Sequence, residues 1–190
     1  MKYILWCLSL LVLAGCKQAG PISQPDQSTT YHDLQPGEKA GYLVKIPSSS
    51  SGEPDAPAGY INQSGDTIVP VGTYAYCWTD TIFTFGIVWD QHKESFIGID
   101  RSGRRLYEIQ QYDNGPDWLS DGLFRILRNG KVGYADAKGY IRIEPRFACA
   151  DPFENGKARV ALECELIPDG EYTLQKSDAW FYINKQGVRL

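Results

Sequence analysis

The stretch VGYADAKGYIRIEP, Val132–Pro145, decides the fold. It places an acid, two filler residues and a glycine between two apolar runs. An Asx residue at the first position of a type I turn accepts hydrogen bonds from the backbone just beyond it. A glycine at the fourth position takes positive φ without steric cost and forms the bulge that restores strand twist. Asp136 and Gly139 therefore read as turn residues. Tyr134, Ile141 and Ile143 read as strand residues with a period of two.

The same pattern recurs as Asn62 to Gly65, Asp100 to Gly103 and Asn184 to Gly187. The flanks recur with it: GYINQSG, GIDRSG, GYADAKG and FYINKQG each set an apolar residue before the Asx. Two of the four Asx residues are amides, which argues against carboxylate or metal chemistry there. A second marker is a bulky apolar residue three before a glycine: Leu34/Gly37, Phe83/Gly86, Leu119/Gly122 and Phe153/Gly156. Gly86 to Asp100 and Gly122 to Asp136 are equally spaced. The Gly37 to Asn62 and Gly156 to Asn184 intervals are longer. Their excess falls on a Ser-rich loop, 47–58, and an acidic loop near 163–177. A period of about 36 residues with loop insertions on one connection is the signature of a repeat array.

With these residues in place, the chain resembles the WG-repeat (WG-containing or KWG repeat) family. NGKVGYADAKGYIRIEPRFACADPFENGKARV, Asn129–Val160, follows the family motif along its length. The Trp-Gly pair itself is absent: its slots hold Ala58-Gly59, Phe96-Ile97, Val132-Gly133 and Trp180-Phe181. The resemblance implies a β-rich repetitive fold and brings no defined chemistry with it.

The expected fold is all-β, with three and a half to four degenerate hairpin repeats over residues 31–190. The chain opens with the second half of a unit and closes with the first half of one. An open or partly curled stack is the preferred arrangement. The alternative is a propeller-like array closed by both termini. No long helical period occurs; short helical turns are expected at 112–121 and 148–155.

The N-terminus, MKYILWCLSLLVLAGCKQAG, has one positive charge and an eleven-residue apolar run, Tyr3–Leu13. That run is too short for a membrane-spanning helix and reads as a signal peptide, residues 1–15. Leu13-Ala14-Gly15-Cys16 resembles the bacterial lipobox, which implies cleavage before Cys16 and acylation of its sulfur. Two acyl chains would hold the protein on a membrane. Lys17 after the cysteine leans the expected location toward the outer membrane. Residues 16–30, polar and containing prolines, read as a tether. The net charge is −4, and cleavage makes it one unit more negative. That balance excludes the electrostatic footprint of a nucleic-acid binder.

Cys77, Cys149 and Cys164 remain in the domain, in no zinc-binding spacing. Export permits disulfides; Cys149–Cys164 is a candidate pair, and buried free thiols are the alternative. Cys164, in phase with Ala158, Val160 and Leu162, is expected to face inward. There are two histidines, His32 and His92, and no catalytic, phosphate-binding or metal motif. No cofactor and no metal are expected. Asp113, Asp117 and Asp121 are expected on a solvated turn. Tyr60, Tyr134 and Tyr182 occupy one phase of the repeat and are expected mainly in the core. Trp118, in the polar segment DNGPDWLSDG, is the candidate exposed binding residue.

The resulting expectation is a membrane-anchored envelope lipoprotein, acting as a non-enzymatic binding or scaffolding module for a protein or glycan partner. The alternatives are an envelope hydrolase with loop-borne carboxylates and a toxin-immunity or inhibitor protein. A concave pocket with two close carboxylates or a perturbed histidine would favour the enzyme. An exposed aromatic patch without such a pair would favour binding.

Overall fold

The computed structural model describes residues 41–48, 56–170 and 172–190. The signal peptide, Cys16, the tether, His32 and the Leu34/Gly37 marker lie outside the described residues. No helix occurs among the described residues, so none is long and apolar enough to cross a membrane.

Four units follow one another, each built around an Asx turn. The first holds β1 (Leu43–Pro47), β2 (Ala58–Asn62) and β3 (Thr67–Tyr74). A link with β4 (Tyr76–Cys77) and β5 (Thr81–Ile82) leads to the second: β6 (Phe85–Asp90), β7 (Ser95–Asp100) and β8 (Arg105–Ile109). The next link carries β9 (Gln111–Tyr112) and β10 (Gly115–Pro116). The third unit is β11 (Leu123–Arg128), β12 (Lys131–Asp136) and β13 (Ile141–Phe147). A short link with β14 (Cys149–Ala150) reaches the fourth: β15 (Lys157–Ala161), an inserted hairpin of β16 (Glu165–Asp169) and β17 (Tyr172–Lys176), and β18 (Phe181–Asn184).

Every pairing is antiparallel. The second and third units share one sheet, ordered β13-β12-β11-β8-β7-β6-β4. None of the sheets closes into a barrel. Both edges of β1 are taken, by β2 and β5, and β18 pairs with β15. Among the described residues the arrangement is the open array.

The four Asx turns are built alike. Gly65, Gly103, Gly139 and Gly187 donate their N–H to the carbonyls of Asn62, Asp100, Asp136 and Asn184, at 2.8–3.1 Å. The side-chain oxygen of each Asx also accepts from the backbone two and four residues on, for example Lys138 at 2.9 Å and Tyr140 at 3.0 Å onto Asp136. From the second unit onward the turn glycine is also a contact between units. A Cβ on Gly139 would stand 2.5 Å from Phe85, and one on Gly187 would stand 3.2 Å from Ile143. Gly65, in the first unit, meets nothing within 4 Å.

Three apolar cores lie at the three junctions. Tyr60, Val69, Ile82, Val88, Ile97 and Ile99 belong to the first. Phe96, Tyr107, Ile109, Phe124 and Ile126 form the second. Tyr134, Ile143, Phe147, Phe153, Val160 and Ile183 belong to the third. A unit's own meander has one face per neighbour and closes no core by itself, which is the energetic reason for repetition.

Several expectations are corrected. Segments 112–121 and 148–155 are not helical turns. Asp121-Gly122 and Asn155-Gly156 have positive φ at both residues, 52° and 84°, 53° and 80°, the geometry of a tight hairpin turn. Right-handed helix cannot accommodate it. The glycine marker is also out of frame. Leu43, Phe85, Leu123 and Lys157 stand opposite the four turn Asx residues. Gly122 and Gly156 precede that position, whereas Gly86 follows it inside β6. The equal spacing in the second and third units is therefore a coincidence of frame and loop length. The loop near 163–177 is a strand pair, β16 and β17.

In two units the motif glycine sits beneath a bulge of its partner strand. A Cβ on Gly133 would lie 2.5 Å from the Ile143 carbonyl oxygen and 2.6 Å from the Pro145 nitrogen. Backbone cannot give way as a side chain can. Gly133→Ala is expected to destabilise the domain by about 1–3 kcal/mol, read from the urea midpoint. An unchanged midpoint would mean that the bulge is not fixed.

Candidate functional site

The carboxylates are mostly spent on structure. Asp136 pairs with Arg142 (Nε to Oδ2 2.7 Å), Asp100 with Arg104 (3.0 Å) and Asp151 with Arg159 (2.7 Å). Asp117, expected on a solvated turn, is instead buried with Arg125. It accepts from Arg125 Nε at 2.9 Å, Nη2 at 2.6 Å and the backbone N–H at 2.8 Å. The four-residue spacing of the acids hid a different relation: Asp117–Arg125 and Asp151–Arg159 are two copies of one pair, at the same position of successive repeats. The first copy lies inside the third junction. The second is half-exposed.

Asp90 is buried beside Arg105, with Tyr74 under the guanidinium. Burial pushes its carboxyl up. The Arg105 hydrogen bond and charge, with the N–H groups of His92 and Lys93, outweigh that and hold it below the usual carboxylate value. A depressed pKa stabilises the fold above the unfolded value of about 3.9, and this contribution disappears as pH falls through the lower folded value. Asp90→Asn is expected to flatten the acid limb of stability as pH falls below the unfolded value of about 3.9. An unaltered limb in urea titrations would contradict this assignment.

Cys149 and Cys164 are joined, with Cα atoms 5.8 Å apart. The bond ties the base of the β16–β17 hairpin to the third link. Cys164 is half-buried, its sulfur turned to buried Cys149, although the strand phase ends at Ala161 and Leu162 is exposed. Cys77 is a buried free thiol. Burial pushes its pKa up against the opposing effects of Tyr60 and Lys45, which leaves it a poor nucleophile.

Tyr60 and Tyr134 are fully buried, and burial raises both phenols well above their ordinary value. Tyr182 is exposed, contrary to its place in the repeat. A cleft of about 540 Å³ lies between the turns of the third and fourth units, lined by Asp121, Asp136, Arg142 and Lys185 among others. Its charges are engaged: Asp136 with Arg142, and Lys185 with the Asp121 carbonyl. Among the described residues no group of three His, Cys, Asp or Glu could hold a metal ion.

The second junction departs most from its neighbours. Where the other units have tyrosine, it has Gly98. A Cβ there would meet the rings of Phe85 at 2.6 Å and Tyr107 at 3.0 Å. Phe85, Tyr107 and Phe124 fill the space instead, with centroids 5.6–6.5 Å apart. Leu119, in the slot that Phe153 fills at the third junction, is consequently exposed. The link also bulges outward as the β9–β10 hairpin.

That hairpin organises a surface. Tyr112 and Trp118 are edge-on to one another at 4.0 Å, and both are half-exposed. Gly115, paired with Tyr112, admits the tip of Trp78, which would lie 3.6 Å from a Cβ. Trp78 in turn meets Tyr76 at 5.9 Å and Phe96 at 5.5 Å, and Phe96 meets Trp89 at 4.8 Å. Tyr76, Trp89 and Phe96 share one face through pairing across β4, β6 and β7. Trp118 is thus one member of an aromatic strip. The sequence signal missed for Tyr112 was its placement in a link, where strand phase does not apply.

The fold and this surface define a class: an antiparallel β-repeat module whose links carry exposed aromatic residues. The model of the WG containing repeat family matches residues 133–163, the stretch that spans the third junction. No curated protein and no solved structure matches the chain.

Proposed function

We propose that this repeat module is a non-enzymatic binding protein of a bacterial envelope, held at a membrane through acylated Cys16. Its partner, a protein or a glycan, is contacted through Trp78, Tyr112 and Trp118. The observation that carries this reading is the exposed aromatic strip at the second junction. Partly exposed Tyr and Trp rings offer large, rigid contact area at low entropic cost, with a polar group at one end. The structural use of the Asp residues supports binding over carboxylate catalysis.

The test is capture from envelope extracts by the full-length chain, compared with a Trp78→Ala/Trp118→Ala variant. A hot-spot pair of this kind is expected to be worth at least about tenfold in retained partner. Equal capture by both proteins would remove the strip from binding. Turnover of an envelope substrate without any capture would favour the hydrolase.

A further inference from the structure

The fourth unit exposes a face that its counterparts bury. Tyr60 and Tyr134 are 0% exposed, whereas Tyr182 is 46% exposed. Leu190, which stands at the exposed position of Arg142, is 68% exposed beside it. The counterpart of buried Arg125 is Arg159, whose side chain is 46% exposed. These residues lie together: Arg159 is paired with Tyr182 across β15 and β18, and Leu190 donates its N–H to the Tyr182 carbonyl at 2.9 Å.

The third unit shows what such a face accepts. The Tyr134 hydroxyl donates to the Asp151 carbonyl at 2.7 Å, and Arg125 Nη1 donates to the Ala150 carbonyl at 3.2 Å. The ring of Phe153 packs on Tyr134 at 4.7 Å. All three come from one extended link. At the first junction the Tyr60 hydroxyl likewise donates to a link carbonyl, that of Thr79. On the fourth unit Arg159 is already oriented, by its Nε bond to Asp151 at 2.7 Å and by the Trp180 ring 4.4 Å away. Lys157 stands 4.9 Å from the Tyr182 ring, adding positive charge beside the face.

We propose that the Arg159–Tyr182 face binds an extended strand supplied by a separate protein. That strand offers two successive backbone carbonyls, to Arg159 and Tyr182, and an aromatic side chain two residues after the second. Acidic residues in it suit Lys157 and Arg159. Recognition then reuses the contacts by which one unit holds the next link, with main-chain groups providing affinity and the aromatic residue specificity. The face is on the fourth unit, so it stands independently of the aromatic strip.

The probe is a synthetic peptide copying residues 146–156, with serine in place of Cys149, titrated into the full-length chain by anisotropy. Saturable binding is expected. Arg159→Ala and Tyr182→Ala should each weaken it about tenfold, as loss of a hydrogen bond at a desolvated contact does. Replacing the peptide's phenylalanine by alanine should weaken it comparably. Leu166→Ser, on the exposed β16 strand, should leave it unchanged. Absence of binding at millimolar peptide, or binding indifferent to both protein variants, overturns the proposal. So does self-association of the chain that Tyr182→Ala abolishes, because the occupant would then be a second copy.

Discussion

Arg125→Ala is expected to destabilise the domain by about 3–5 kcal/mol, the cost of leaving a buried charge unpaired. Asp117 has its side chain almost wholly inside the protein and takes three hydrogen bonds from Arg125. Removing the guanidinium strands the carboxylate and also frees the Ala150 carbonyl. The comparison that isolates the mechanism is Arg125→Met with Asp117→Leu. Replacing both members by apolar side chains removes the stranded charge, so the double variant should be markedly more stable than Arg125→Ala. Urea midpoints measure both. If Arg125→Ala lies within about 0.5 kcal/mol of the parent, as ordinary surface changes do, the pair is not buried as described. Arg159→Ala, at the half-exposed copy of the same pair, should cost no more than about 1 kcal/mol.

Tyr134→Ala is expected to cost about 3–5 kcal/mol, in the range for a large buried ring. The substitution empties the centre of the third core, beside Phe153 and Ile143, and leaves the Asp151 carbonyl without its hydroxyl. Tyr182→Ala occupies the same repeat position and should change stability by less than about 0.5 kcal/mol. Nothing in the local sequence separates the two tyrosines: both stand two residues before a turn Asx. What separates them is whether a following link covers the ring. Equal losses at the two positions would contradict the description of the fourth-unit face.

The turns were legible because their physics is local. An Asx, two residues and a glycine specify one hydrogen-bonded loop, and all four copies adopt it. Strand phase was legible only in part: Ile143 packs with Tyr134 in the third core, but a bulge turns Ile141, opposite Ala135, toward the second. The glycine marker failed because Gly86 is a strand glycine facing Ile82, whereas Gly122 and Gly156 are turn glycines. The better signal was the Asx-Gly dipeptide, Asp121-Gly122 and Asn155-Gly156, each the centre of a tight turn.

The candidate surface was legible only in part. Trp118 could be picked out from its polar neighbours. Its placement beside Trp78 and Tyr112 could not, because the strip draws on two different links joined only when successive units stack. Asp117 was misread for the same reason: its partner lies across a turn, and its burial comes from the next unit. Long-range contacts of this kind leave no trace in local periodicity.

The central claim is that partner recognition occurs on the aromatic strip of the second junction. Its most direct test places a photo-crosslinking phenylalanine analogue at Trp118 in cells and compares it with the same analogue at exposed Lys131. The account predicts a discrete adduct from position 118 and none from position 131. Adducts of equal yield from both positions, or an adduct from position 131 alone, would contradict it.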